Sequence, residues 1–355
     1  MLDFTSALYL GMEHAGGSLA PWRALTTGVP AALRVPPAAR EVEGSLAELQ
    51  GTERAVLATS TLHAFFDLIP LLAGGKAAIH LDRGAYPIAR WGAERAASTF
   101  GGGASASTFR HHDPSDLRTH LRRGPRRPIV VADGFCPGCG DTAPVGDYLD
   151  ATREAGGTLV LDDTQALGIL GRNPGAGAPL GIGGGGSLRR HGIEGPDIVV
   201  VSSLAKGFGV PMAAVAGGDK AVARFEARSE TRVHASPPSL CHIYAGQRAL
   251  ALNQEEGERL RATLTRRILR FRSLTAGLGV SVRGGVFPVQ TLVMPAGVDA
   301  AGVYARLLAS GIRTVLHAPR CGRGLQVSFL VTARHRPADI DRAVETLGAA
   351  LEAAA

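Results

Sequence analysis

The stretch "PDIVVVSSLAKGFGVPMAAVAGG" (residues 196–218) decides the architecture. Its two apolar runs, "PDIVVVSS" (196–203) and "AAVAGG" (213–218), lack polar alternation, as strands buried on both faces require. Between them stands Lys206, one of only three lysines (with Lys76 and Lys220) among 38 basic residues. A chain that writes its positive charge as arginine thus keeps a lysine where a strand gives way to a glycine pair. An ammonium can lose its proton and act as a nucleophile or base; a guanidinium cannot.

Upstream, "KAAIHLD" (76–82), "RPIVVADG" (127–134) and "GGTLVLDD" (156–163) repeat the strand pattern, with helical stretches such as "PVGDYLDATREA" (144–155) between strands. This alternation predicts an α/β fold, a mostly parallel sheet between helix layers. From Pro237 the rhythm changes. A long helical segment runs to about Gly277, and "FPVQTLVMP", "IRTVLHA" and "LQVSFLV" predict a separate small sheet. An amphipathic helix, "RPADIDRAVETLGAALE", follows, with a proline near its start. The expected organisation is an N-terminal segment (1–40), a large α/β domain (41–236), and a linking helix with a smaller α+β domain (237–355). Residues 173–192 are glycine-rich and read as a flexible loop. Their "GIGGGG" does not sit between a strand and its helix, so it is no dinucleotide fingerprint.

Apolar content of 45% excludes a disordered chain, and no apolar run reaches the roughly 18 residues of a membrane span. The start, "MLDFTSALYLG", lacks a basic region followed by an apolar stretch, so no signal peptide is expected and the cytoplasm is the default. A net charge of +7 raises nucleic acid as a partner. However, the densest cluster, "RTHLRRGPRR" (118–127), holds no aromatic residue to stack a base, and a solvated loop is the expectation.

Ligand crevices of parallel sheets lie at the carboxyl ends of the strands. One candidate strand ends in Asp162 and Asp163, another in Ser202 and Ser203 with Lys206 just beyond. An acid and a lysine so placed suit a cofactor with a pyridine ring and an aldehyde, the lysine forming an imine and the carboxylate keeping the ring nitrogen protonated. A lysine that merely solvates a turn fits the same pattern.

Five motifs in order settle which reading is carried forward. "LDFTSALYLGM", "LAELQGTERAVLATSTLHA", "DGFCPGCGDTAPV", "VLDDTQALGILG" and "SSLAKGFGVPMAAVAGG" together resemble the α-oxoamine synthase (8-amino-7-oxononanoate synthase-like) group of fold-type I pyridoxal-phosphate (PLP) enzymes, within the class II aminotransferases. The resemblance spans nearly the whole chain and implies an aspartate-aminotransferase-like fold with pyridoxal 5'-phosphate as cofactor. By this resemblance Lys206 is the Schiff-base lysine, Asp162 pairs with the ring nitrogen, and Ser203 lies near the phosphate. Ser60, Thr61 and Leu62 present backbone amides to that phosphate, as a helix start can; Ser60 also reads as an ordinary N-cap. Tyr86 stacks on the ring where the family has histidine, and Gln165 replaces a histidine at the ring hydroxyl. Neither replacement carries a proton readily near neutral pH. Pro137 replaces a serine. Where the family grips the substrate carboxylate with arginine, matching gives Ala318 beside His317; Arg313 and Arg320 are substitutes, each also readable as a surface residue.

The resemblance implies a homodimeric transferase that binds an amino acid or amine as an imine and generates a carbanion at its α-carbon. Lys206, Asp162 and Tyr86 would be catalytic. Condensation with an acyl-thioester is the leading expectation; transamination with a keto acid, or lyase or racemase chemistry, is the alternative. His234, just before "SPP", falls where the family approaches the neighbouring subunit's cofactor, and reads equally as a loop histidine. Arg228 and Arg232 read as solvent-facing charges, with neutralisation of an anionic substrate as the alternative. Cys136 and Cys139 form C-x-x-C, but Cys241 and Cys321 are not spaced as a second pair and His111 and His112 read as exposed, so no metal is expected.

Overall fold

A computed structural model of the chain describes residues 1–75, 77–99, 105–124 and 127–354. Lys76 and part of the basic cluster (Pro125 and Arg126) lie outside the described residues. Seven strands form the central sheet, here β1 to β7 in chain order: Arg54–Ala58, Ala78–Asp82, Ser105–Phe109, Ile129–Asp133, Thr158–Asp162, Ile198–Ser203 and Ala213–Gly217. Their spatial order is β1-β7-β6-β5-β4-β2-β3. Only β7 runs antiparallel to its neighbours; the other pairings are parallel.

The lack of polar alternation has a direct cause. Leu159, Leu161 and Val200 face one apolar core, while Val160, Val199 and Val201 face the other. Successive side chains point to opposite faces, so a sheet covered on both sides needs apolar residues at both parities.

The glycine pair after Lys206 is explained by crowding. A β-carbon on Gly207 would lie 2.4 Å from the Leu167 carbonyl oxygen, and Gly209 adopts a φ of +67°. These two positions let the β6–β7 connection fold tightly, with the Phe208 and Val210 amides both donating to the Leu204 carbonyl.

The helix Leu240–Gly277 leads to a four-stranded antiparallel sheet ordered Val282–Arg283, Val289–Leu292, Gln326–Leu330 and Val315–His317. Near the N-terminus, Leu2–Asp3 pairs with Ile312–Arg313, which leaves Arg313 exposed and occupied with that ribbon. Among the described residues no helix is long and apolar enough to cross a membrane.

Three expectations are corrected. Residues 173–192 are built structure rather than a flexible loop, because the long helix pins them. Asn253 donates to the Gly183 carbonyl (3.0 Å), Glu258 accepts from the Gly183 amide (2.7 Å), and a helix forms over Gly186–His191. The basic cluster begins inside the helix Pro114–Arg123, capped by Asp113, rather than in a loop. Arg232 is buried, not solvent-facing, and donates to the Leu57 and Ala31 carbonyls; Arg228 is exposed.

Candidate active site

A cavity of about 240 Å³ opens at the carboxyl ends of the central strands. Thr61, Tyr86, Asp162, Gln165, Ser203 and Lys206 line it, joined by Asp133, Phe135, Pro137, Thr164 and Arg320. Eight of the residues singled out from sequence, Pro137 and Arg320 among them, are therefore brought together. Ser60 and Leu62 flank the cavity through Thr61, whereas His234 is exposed and does not line it within one chain.

The acids come from strand register. Asp133 ends β4 and Asp162 ends β5, and the two are paired partners across the parallel ladder. The backbone amide of Thr164 donates to Asp162 Oδ1 at 3.0 Å, and that of Tyr86 to Asp133 Oδ1 at 3.0 Å. Burial pushes both carboxyls up; the charge of Asp162 raises Asp133 further and holds it well above the usual carboxylate range, whereas the Thr164 hydrogen bonds and the charges of Lys206 and Arg320 hold Asp162 back. Lys206 faces the opposite influence. Burial holds its ammonium below the usual lysine range, opposed by the charges of Asp162 and Asp133.

Arg320 completes the charge balance. It comes from the loop between Val315–His317 and Gln326–Leu330 of the small sheet, reaches across to donate to the Gly84 carbonyl at 3.0 Å, and pairs with Asp133 at 3.4 Å. Its guanidinium sits 5.0 Å from the centre of the Tyr86 ring. Of the two candidate arginines, Arg320 is thus a cavity residue rather than a bystander on the surface.

Smaller contacts fix the remaining groups. The Tyr9 hydroxyl donates to Gln165 Oε1 at 2.8 Å, which leaves the Gln165 amide N–H groups to serve the cavity. Ser203 accepts from the Ala205 amide, and its own amide donates to the Thr164 hydroxyl. Ser60 caps the helix Thr61–Ala73, its hydroxyl bonded to His63. The first-turn amides of Thr61 and Leu62 have no partner within that helix, as every helix start dictates.

Sequence reasoning passed over Asp133, Thr164, Tyr9 and Phe135. Asp133 stood at the end of a recognised strand, so the strand-end rule could have found it. Tyr9 carried no such signal. Beside the cavity, His111, Cys136, Cys139 and Cys321 converge with ligand atoms all within 4.8 Å of one another. His111 and His112 are only partly exposed, and the C-x-x-C pair has partners that its spacing did not reveal.

A parallel-sheet large unit, a small antiparallel unit and a lysine–aspartate pair at the strand ends define a fold-type I PLP enzyme. The chain belongs to the aminotransferase class I and II family, whose pattern matches residues 30–347. It is 30% identical over 320 residues to 8-amino-7-oxononanoate synthase of Methylococcus capsulatus, an alignment covering 87% of this chain and 77% of the relative. A high-resolution structure of SPT (serine palmitoyltransferase) with PLP superposes with a TM-score of 0.85 at 20% identity, covering 99% of this chain and 87% of that one. 8-Amino-7-oxononanoate synthase of Francisella tularensis superposes at 0.74 with 16% identity, covering 99% and 98%. The chain is accordingly a PLP-dependent transferase of the α-oxoamine synthase type.

Proposed function

We propose that this chain forms a carbon–carbon bond between an amino acid and an acyl donor, with PLP held in the cavity by Lys206. The observation that carries the reading is a partly buried lysine sharing one cavity with the buried Asp162. The residues fit the cofactor. Asp162 lies in a site where its charge is disfavoured, and a protonated ring nitrogen would supply a counter-charge. The free first-turn amides of Thr61 and Leu62, with Ser203, suit a phosphate. Tyr86 offers a ring face, and Gln165, oriented by Tyr9, offers an N–H to the ring oxygen.

When bound, PLP supplies an electron sink for negative charge at the α-carbon of the substrate. Lys206, with its depressed proton affinity, is the group that removes and returns the α-proton. Asp162 keeps the ring nitrogen protonated. Arg320 spends one N–H on the Gly84 carbonyl and one on Asp133, and as a cavity-lining guanidinium it would use its remaining donors to receive a substrate carboxylate.

The functional unit is a homodimer. Leu62, Phe66, Trp91 and Val233 are all exposed large apolar residues on or beside the packed helices Thr61–Ala73 and Pro87–Thr99, the first of which contributes Thr61 to the cavity. A second subunit covering them would also meet His234. A biosynthetic role in the cytoplasm suits this reading, since the four cysteines are thiols and that compartment keeps them so.

Incubating the PLP-loaded protein with amino acids and an acyl-thioester tests the reaction. Free thiol should appear only when both are present. One observation favours a second reading: among the described residues no histidine lines the cavity, so proton transfer at the α-carbon rests on Lys206, which suffices for transamination. Conversion of the cofactor to its pyridoxamine form by an amino acid, without thiol release, would establish that reading and overturn condensation.

A further inference from the structure

We propose that His111, Cys136, Cys139 and Cys321 form a closed tetrahedral zinc site that ties the small sheet to the rim of the catalytic cavity.

The geometry is that of a preformed cage. Zn–S bonds of about 2.3 Å and Zn–N bonds of about 2.0 Å arranged tetrahedrally imply S–S edges of about 3.8 Å and S–N edges of about 3.5 Å. Here Cys136 Sγ lies 3.6 Å from Cys321 Sγ, and His111 Nε2 lies 3.3 Å from Cys139 Sγ. All four donor atoms fall within 4.8 Å of one another. Three thiolates and one imidazole leave no open position and select a soft, tetrahedral ion, which makes the site structural rather than catalytic.

The surroundings are built to match. His111 Nδ1 is hydrogen-bonded to Asp82 Oδ1 at 2.6 Å, which turns Nε2 toward the sulfurs. Asp82 ends strand β2 and is itself fixed by the Gly84 amide (2.7 Å), the His112 amide (3.1 Å) and the Tyr148 hydroxyl (2.9 Å). The two cysteines of "CPGC" sit on a tight hairpin in which the Gly140 amide donates to the Cys136 carbonyl. Glycine is required there for two reasons. A β-carbon on Gly138 would lie 2.8 Å from Cys321 Sγ, and Gly140 has a φ of +81° with Gly284 packed against it.

The placement gives the site a task. Cys136 and Cys139 follow β4, His111 follows β3, and Cys321 comes from the small sheet's loop. Arg320 directly precedes Cys321, and Pro137 directly follows Cys136; both line the cavity. An ion at this point holds Arg320 against Asp133 and Gly84, so zinc would act as a positioning element for the substrate-facing guanidinium.

Metal analysis of the full-length protein, produced in zinc-supplemented medium and purified without chelator, tests the proposal independently of PLP. About one zinc per chain is expected. Zinc should be lost in Cys139→Ser and Cys321→Ser and retained in Cys241→Ser. Should those variants not fold, Co²⁺ exchanged into the intact protein gives the answer, since tetrahedral thiolate ligation produces strong visible d–d bands. Protein that under reducing conditions takes up neither Zn²⁺ nor Co²⁺, that carries iron in the cluster instead, or that shows a Cys136–Cys321 disulfide on peptide mapping overturns the proposal.

Discussion

Replacing Arg320 with alanine separates its two duties, pairing with Asp133 and receiving a substrate carboxylate. At 3.4 Å and an effective dielectric of about 20, a full ion pair is worth at most about 5 kcal/mol. Roughly a third of the Arg320 side chain is exposed, so solvent reduces the effect on folding to about 1 kcal/mol. A charge-assisted bond to a substrate carboxylate contributes about 1.5–3 kcal/mol, or about 10- to 150-fold in binding. Alanine and ethylamine differ in this carboxylate, and their dissociation constants are measurable from the absorbance of the bound cofactor. Arg320→Ala should weaken alanine by that factor and ethylamine by less than about threefold, while Arg320→Lys, which keeps charge but loses the planar fork, should fall between. An equal loss for both ligands, with an unchanged melting temperature, would refute the assignment of Arg320 to the carboxylate.

Asp162→Asn should retain covalent cofactor at Lys206 but lower kcat by about 10³-fold, within the range of a lost acid–base partner; steady-state kinetics on the reconstituted variant checks this. Burial pushes the Asp163 carboxyl up to about 7, above its unfolded value of about 3.9. Its contribution to stability is therefore full below about pH 4 and is lost as pH rises through about 7. Thermal unfolding across this range should show the advantage of Asp163→Asn growing between about pH 4 and 7, to at most about 4 kcal/mol, and then levelling; an advantage independent of pH would contradict it. Phe66→Asp or Trp91→Asp should shift the protein to a monomer in sedimentation analysis and weaken cofactor retention, if those residues are the dimer face.

The sequence was legible where structure is local. Strands β2, β4, β5, β6 and β7 showed as apolar runs because both sheet faces are covered. Strand β3, "SASTF", lies at the sheet edge with mostly exposed residues, so no apolar run marked it. The short β1, "RAVLA", carries no turn residue or alternation that distinguishes it from a helix. Asp162, Ser203 and Lys206 were readable because each sits at or just beyond a strand end, and Gln165 came from the family resemblance alone. Arg320 was named only as one of two substitutes and could not be told from Arg313, and Tyr9 and the part played by the Cys321 thiol were not legible, because the small sheet and the N-terminal segment deliver them to the cavity region across the fold. The four cluster residues occupy positions 111, 136, 139 and 321, a spacing that no local ligand pattern describes.

Mass spectrometry of peptides after borohydride reduction of the PLP-reconstituted protein tests the central claim most directly. The account expects a pyridoxyl group on Lys206 and on no other lysine, and none in Lys206→Ala. A label on Lys220, or cofactor that remains removable by dialysis after reduction, would contradict it.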